Sequence, residues 1–235
     1  MYKFTIKSLV VLVFFATSLS LAAQEPEKKE RENDPSQVVQ SAQLAVELAN
    51  YGYAHQAVLS LVESARIIAE HPFKALTPTR SEPSMGNAGQ KTPKVQEISV
   101  EKLLADARNL AQADPILLAV VDKTEKEIQT QQSQVVATKG RVLGPARVSR
   151  RVYANSTYTD YVVFEGQELA EVLVVGDGDT DLDLYVYDEN NNSIGSDTDY
   201  TDTCYVSFTP KWTGSFKVVV KNRGNVYNDY TLLTN

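Results

Sequence analysis

The chain has 235 residues, a formal net charge of −7 and one cysteine, Cys204. A single cysteine excludes an intramolecular disulfide, so the fold must rest on packing, with or without a metal. The charge is uneven: residues 154–235 carry 14 acids and 4 bases (4 − 14 = −10), whereas residues 24–153 carry 16 acids and 17 bases. An acidic C-terminal part argues against nucleic acid, whose phosphates need a basic footprint, and favours cations.

The first residues, MYKFTIKSLVVLVFFATSLSLAAQ, place Lys3 and Lys7 before an apolar run from Leu9 to Phe15 and end on Ala22 and Ala23. That order of parts predicts a signal peptide over 1–23, and the apolar core is short of the roughly 20 residues a bilayer-spanning helix needs. The processed chain is then exported to the periplasm or exterior and is not an integral membrane protein. Residues 24–36 are charged and read as a disordered leader.

Asp34-Pro35 predicts a helix start, with Pro at the first helical position. The first helix should run to about Tyr51, with Val38, Ala42, Ala45 and Ala49 on one stripe and Gly52 as its breaker. A second helix is expected over about 54–70, with Val58, Leu61, Ala65 and Ile68 at helical spacing. Residues 72–98 hold four prolines and two glycines and read as a flexible insertion. Ser99 caps a third helix carrying Leu103, Ala107 and Leu110, and Asp114-Pro115 opens a fourth with Leu117, Val121, Thr124 and Ile128 on one face. The helical region spans 37–133. It reads as two helical hairpins, either a small four-helix layer or a short repeat array. His55 and His71 fall in or at the end of the second helix, as surface or capping residues.

A basic linker over 134–145 follows, and the basic run KGRVLGPARVSRR extends from 139 to 151. From Tyr153 the hydrophobic period changes to two. Segments such as TDYVVFEG, ELAEVLVVG, LDLYVYD, CYVSF and GSFKVVVKN are rich in Val, Tyr, Phe and Thr and are separated by Gly, Asn, Asp and Pro, the pattern of an antiparallel β-sandwich over 146–235. The fold class is α + β, helical hairpins followed by the sandwich. Alternation puts Cys204, Val206 and Phe208 on one face, which makes Cys204 a buried hydrophobe rather than a nucleophile.

The run GDGDTDLDLYVYDENNNSIGSDTDYTDTCYVSFTPKWTGSFKVVVKNRG, followed by NDYTLLTN, resembles the bacterial pre-peptidase C-terminal domain family. The marks are a Gly-Asp pair before an Asp-Leu-x-Leu-x-Val strand, an acidic loop after a hairpin, and a Thr-Pro-x-x-x-Gly turn from Thr209 to Gly214. The resemblance implies a jelly-roll-like sandwich, often calcium-stabilised, attached to secreted peptidases and other exported proteins, some of which bind collagen or polysaccharide. Here a helical region stands where many relatives carry a catalytic domain.

Asp177, Asp179, Asp181 and Asp183 recur at spacing two, so an extended chain would point their carboxylates to one side and Leu182, Leu184 and Val186 to the other. A hairpin closed by Glu189-Asn190-Asn191 would set Val186 opposite Ile194, Asp183 opposite Asp197 and Asp181 opposite Asp199. Like charges opposed across strands are destabilising unless a cation neutralises them, and calcium suits hard oxygen ligands in flexible geometry. A solubilising acidic face without a specific ion is the other reading. Tyr185, Tyr187, Tyr200 and Tyr205 are candidates for the same outer surface, where they either stack on sugars and grip proteins or simply fill strands. There is no H-E-x-x-H, G-x-S-x-G or P-loop motif.

Two functions stay open. One is an exported non-catalytic protein whose calcium-stabilised sandwich binds protein or polysaccharide at the cell envelope or exterior. The other is a secreted peptidase-associated or accessory protein with a C-terminal targeting domain. Export has a direct test: the protein recovered from periplasm or medium should begin near Gln24, and recovery of intact Met1 from cytosol would contradict it.

Overall fold

The computed structural model describes residues 35–71, 73–86, 98–131 and 145–235. The expected signal peptide, nearly all of the leader and most of the basic linker lie outside the described residues. Among the described residues, four helices and two five-stranded sheets make an α + β fold. Among the described residues no helix is long and apolar enough to cross a membrane.

Helix α1 spans Gln37–His55 and α2 spans Val58–Glu70. Ser36, not Asp34, is the N-cap of α1, and Gly52 does not end that helix. Gln56 ends it in the left-handed region (φ 52°), and α2 begins four residues later than its periodicity suggested. Gly52 serves a close approach instead: a Cβ there would sit 2.5 Å from Leu61 Cδ2. The buried stripe of α1 is Val39, Ala42, Ala45, Val46 and Ala49, while Leu44 and Tyr51 are exposed. Small residues on that stripe let α2 come close, and Ser64 Oγ donates to Ala45 O across the pair at 2.7 Å.

Helix α3 (Val100–Leu110) is capped as expected, Ser99 Oγ accepting from Lys102 N at 3.2 Å. Helix α4 (Pro115–Gln131) starts on Asp114, whose Oδ1 accepts from Ile116 N at 2.8 Å and Leu117 N at 3.2 Å. Arg108 of α3 pairs with Asp122 and Glu125 of α4.

The described part of 72–98 contributes strands rather than a loose insertion. Strand β1 (Lys74–Ala75) runs parallel to β3 (Ala146–Val152), and β2 (Arg80–Pro83) pairs antiparallel with β4 (Thr157–Phe164). Pro83 is tolerated because β2 is an edge strand. The remaining strands are β5 (Ala170–Val175), β6 (Leu182–Tyr187), β7 (Ser193–Asp197), β8 (Thr203–Phe208), β9 (Gly214–Asn222) and β10 (Asn228–Thr234). Sheet A has the order β1-β3-β10-β5-β8 and sheet B the order β2-β4-β9-β6-β7.

The two sheets face each other across a core of Val172, Val174, Leu232, Tyr230, Cys204 and Val206 from sheet A and Phe164, Leu182, Leu184, Val186, Phe216, Val218 and Val220 from sheet B. Phe164 packs edge-on against Phe208 and Phe216. A second cluster joins the four helices to the outer face of sheet A through Leu173, Val175 and Leu233. Strands β5 and β10 are therefore buried on both faces, as their near-continuous apolar runs require. No residue of sheet B belongs to the helical cluster, so that sheet presents its outer face away from the helices.

Truncation at the helix-facing side should be costly. Leu233→Ala is expected to lower unfolding free energy by about 2–5 kcal/mol, the range for a buried leucine. Urea denaturation checks this, with Leu169→Ala at an exposed position as control. An effect no larger than the control would contradict the packing described.

Candidate functional site

The acidic run lies at one end of the sandwich, where the β5–β6 connection meets the β7–β8 connection. Residues 177–180 do not continue as a strand. The chain turns at Gly178 (φ 84°), a conformation that glycine adopts freely, so Asp177 and Asp179 leave the line of Asp181 and Asp183. Asp177 is turned toward β10: its Oδ2 accepts from Asp229 N at 3.0 Å, and its Oδ1 accepts from Asp179 N at 3.3 Å. Asn228, fully buried, holds the same loop by donating to Thr180 O and Oγ1 and accepting from Asp177 N.

The hairpin register also departs from the expected one. Leu184 pairs with Asp197, Tyr185 with Ser196 and Val186 with Gly195, and a bulge then brings Tyr187 opposite Ser193. Ile194 is the extra residue of that bulge and is exposed rather than opposite Val186 in the core. The turn is organised by Asp188, whose carboxylate accepts from Asn190 N, Asn192 N and Asn192 Nδ2. The Asn192 side-chain bond is the main cause that holds Asp188 below the usual carboxylate range.

Among the six predicted acids, the structure sets Asp183 and Asp199 within the field of Asp181 and adds Asp202, which the sequence pattern does not single out. Asp202 Oδ2 accepts from Gly178 N at 2.5 Å, and its backbone O accepts from Gly176 N, so it ties the two loops together. A spacing of three after Asp199 was the signal available for it. Asp197 Oδ2 accepts from Tyr205 N at 2.8 Å, and Asp199 Oδ1 accepts from Thr201 N and Oγ1.

Asp183 is neutralised by a protein cation. It is buried, and its Oδ2 accepts from Arg223 Nε and from Tyr185 Oη. Arg223 was likewise missed, because it lies 40 residues downstream and reaches Asp183 only through the β6–β9 pairing. Asp181 has no such relief. Its Oδ1 is buried without a hydrogen-bond partner, and burial, followed by the charge of Asp183, pushes its carboxyl above the usual range, Asp199 and Asp202 adding to this and Arg223 opposing it.

Among the described residues no three acidic, cysteine or histidine side chains close tightly enough around a point to hold a metal as placed. Hydrogen bonds engage Oδ2 of Asp183, Oδ1 of Asp199 and Oδ2 of Asp202, leaving the other oxygen of each outside those bonds. The donor set is hard oxygen throughout, which suits calcium. Cys204 offers no soft ligand: its Sγ donates to Leu182 O at 3.1 Å, and burial, then the field of Asp197 and Asp199, pushes the thiol well above its ordinary value. His55 stacks obliquely on Tyr51 and His71 sits at the C-cap of α2.

The tyrosines fall in three places. Tyr205 is on the helix-facing side of sheet A, donating to Glu171 Oε1 at 2.7 Å, and so does not share a surface with Tyr185. Tyr200 is almost wholly exposed in the β7–β8 connection. Tyr185 and Tyr187 lie on the outer face of sheet B with nearly parallel rings, centroids 6.4 Å apart. There the strand pairing builds one row across four strands: Arg80 opposite Tyr161, Tyr161 opposite Lys217, Lys217 opposite Tyr187. Arg80 lies 5.6 Å from the Tyr161 ring centroid and Lys217 Nζ lies 5.6 Å from that of Tyr187.

These features define a β-sandwich with helices packed on one sheet and, on the outer face of the other, a half-buried row of tyrosines and cations next to an acidic end. No protein-family model matches the chain, and no curated protein matches it. Among solved structures it is similar to the pre-peptidase C-terminal domain of a collagenase from Bacillus anthracis, at 11% identity and a TM-score of 0.35, over 38% of this chain and 88% of that one. It is also similar to Aeromonas hydrophila PliG, a periplasmic inhibitor of g-type lysozyme, at 12% identity and a TM-score of 0.31 over 43% and 91% of the two chains. A third is the Yersinia pseudotuberculosis-derived mitogen, at 13% identity and a TM-score of 0.31 over 39% and 85%.

The Asp181 environment sets a pH dependence. A carboxyl raised on folding contributes stability below its unfolded pKa and loses it as pH rises through the folded value. In chelator at neutral pH, Asp181→Asn should therefore melt higher than the parent, and the gap should close as pH falls below the ordinary carboxylate range. A variant that melts lower than the parent in chelator at neutral pH would contradict the placement.

Proposed function

We infer that the protein is an exported, non-catalytic binding protein of the cell envelope or exterior, carrying a sandwich of the pre-peptidase C-terminal type that binds protein or polysaccharide. The observation that carries this reading is the row of tyrosines and cations on the outer face of sheet B, on which no helix packs among the described residues. The outer face of sheet A is covered by helices, whereas sheet B turns Tyr161, Tyr185 and Tyr187, interleaved with Arg80 and Lys217, to the outside. Aromatic rings with a polar edge, held on a rigid sheet, are well suited to recognition.

Calcium has a structural role in this reading. Asp181, Asp183 and Asp199, with Asp202, would have to draw together from their present places to hold it, and the buried Oδ1 of Asp181, which lacks a hydrogen-bond partner, is the oxygen it would relieve. Asp177 and Asp179 shape the adjoining loop, and Asp197 anchors the start of β8 through Tyr205 N.

Two measurements test the reading. Immobilised residues 24–235 should retain envelope protein or polysaccharide, and Tyr185→Ala with Tyr187→Ala should abolish retention without lowering the melting temperature by more than a few degrees. Retention that survives both substitutions would move the site elsewhere. Calcium should raise the melting temperature, with a gain of roughly 2.7 kcal/mol at a hundredfold excess over the dissociation constant. Asp181→Asn with Asp199→Asn should remove that gain, and a melting curve indifferent to calcium and chelator would refute the ion.

A further inference from the structure

The charges of the sandwich are segregated in a way that strand stability does not require. Residues 154–235 contain four bases, Lys211, Lys217, Lys221 and Arg223, against 14 acids, and the three arginines that β3 adds to the sandwich, Arg147, Arg150 and Arg151, belong to sheet A. Lys217 and Lys221 alternate with the buried residues of β9 and so share the outer face of sheet B, and Arg223 lies just past that strand. Arg80 joins them from β2, a strand supplied by the segment between the helices. The acids on this face are accounted for: Glu82 pairs with Arg80 on its own strand, and Asp183 is buried beneath Arg223. Neither Lys217 nor Lys221 has a carboxylate in ion-pair contact among the described residues, so the face is net positive on a part of the chain that is strongly acidic.

The arrangement of the cations matters as much as their number. A solubilising sheet face gains most from opposite charges set directly across strands. Along the row Arg80, Tyr161, Lys217, Tyr187, Arg80 is instead opposite Tyr161, and Lys217 lies between Tyr161 and Tyr187, whereas Lys221, outside that row, stands opposite Thr157 and the Arg223-paired Asp183. A ligand lying along this row would meet flat rings and positive charges in alternation. Sugar rings offer C–H faces that lie on tyrosine, and a uronic acid adds a carboxylate at the edge of each ring.

We propose that the outer face of sheet B is a docking surface for an acidic polysaccharide, with sugar rings on Tyr161, Tyr185 and Tyr187 and carboxylates paired to Arg80, Lys217 and Lys221. This rests on the binding reading above and names its ligand class. A polynucleotide is disfavoured, since its closely spaced phosphates would run from this small patch onto the acidic remainder of the sandwich. An acidic peptide would satisfy the cations but make little use of the ring row.

The test uses residues 24–235 and affinity electrophoresis through gels containing polygalacturonate, in chelator so that calcium cannot bridge polymer and acidic loops. Polygalacturonate should retard the protein, less so as salt rises, and more than dextran, polyglutamate or double-stranded DNA. Lys217→Gln with Lys221→Gln should weaken retardation by about tenfold, on the scale of two exposed ion pairs. Lys217→Arg with Lys221→Arg should restore it, and Tyr187→Ala should weaken it with unchanged melting. Equal retardation by dextran, unaffected by the lysine substitutions, would overturn the acidic class while leaving the binding reading intact. Stronger retardation by polyglutamate or DNA would assign the face to another class of polymer. No retardation by polygalacturonate would overturn the proposal, and the envelope-retention experiment then decides the binding reading separately.

Discussion

Burial of sheet A on both faces is the condition on which the rest of the structure depends. Strands β5 and β10 turn Val172, Val174 and Leu232 into the sandwich and Leu173, Val175 and Leu233 onto the helices. Left to solvent, that second face would be a contiguous apolar patch, which soluble proteins rarely tolerate. The joint is polar at both ends of β5: at one, Asn50 Nδ2 of α1 donates to Gly176 O at 3.2 Å, and at the other stands Glu171. Glu171, with no exposed surface, accepts from Ser36 N at 2.6 Å and from Tyr205 Oη, setting a carboxylate at the N-terminus of α1 where the helix dipole favours it. The helices cover sheet A alone, and among the described residues no helix packs on the outer face of sheet B.

The segment between α2 and α3 extends the same logic. Leu76 enters the sandwich core, and β1 and β2 lengthen one sheet each. Arg80 reaches the open face only because β2 pairs with β4. Inside, Asp160 and Arg150 form an ion pair between β4 and β3, with Arg150 over the Tyr158 ring, linking the two sheets across the core. Helices, inserted strands and sandwich thus share side chains, not merely a linker.

The alternating strands and the four helices could be read from residue pattern, because period two and period 3.6 survive in single sequences. Caps built on local chemistry, such as Ser99 and Asp114, could be read for the same reason. What failed depends on distant partners. The Pro- and Gly-rich stretch at 72–98 looks like a loop until β3 and β4 are there to pair with it. Gly52 looks like a helix breaker until Leu61 packs against it. The bulge at Ile194 slips the β6–β7 register by one, and a one-residue slip moves every side chain to the other face. Arg223, which neutralises Asp183, is invisible at a separation of 40 residues, so the acid run read as more uniformly unpaired than it is.

The helical layer and the sandwich are joined through the cluster on the outer face of sheet A and should unfold together. Trp212, the single tryptophan, lies in the turn between β8 and β9 and reports on the sandwich, while ellipticity at the helical band reports on α1 to α4. Urea unfolding of residues 24–235 followed by both probes should give one coincident transition, as a two-state unit requires. Two separated transitions, with the tryptophan signal intact after the helices have melted, would contradict it.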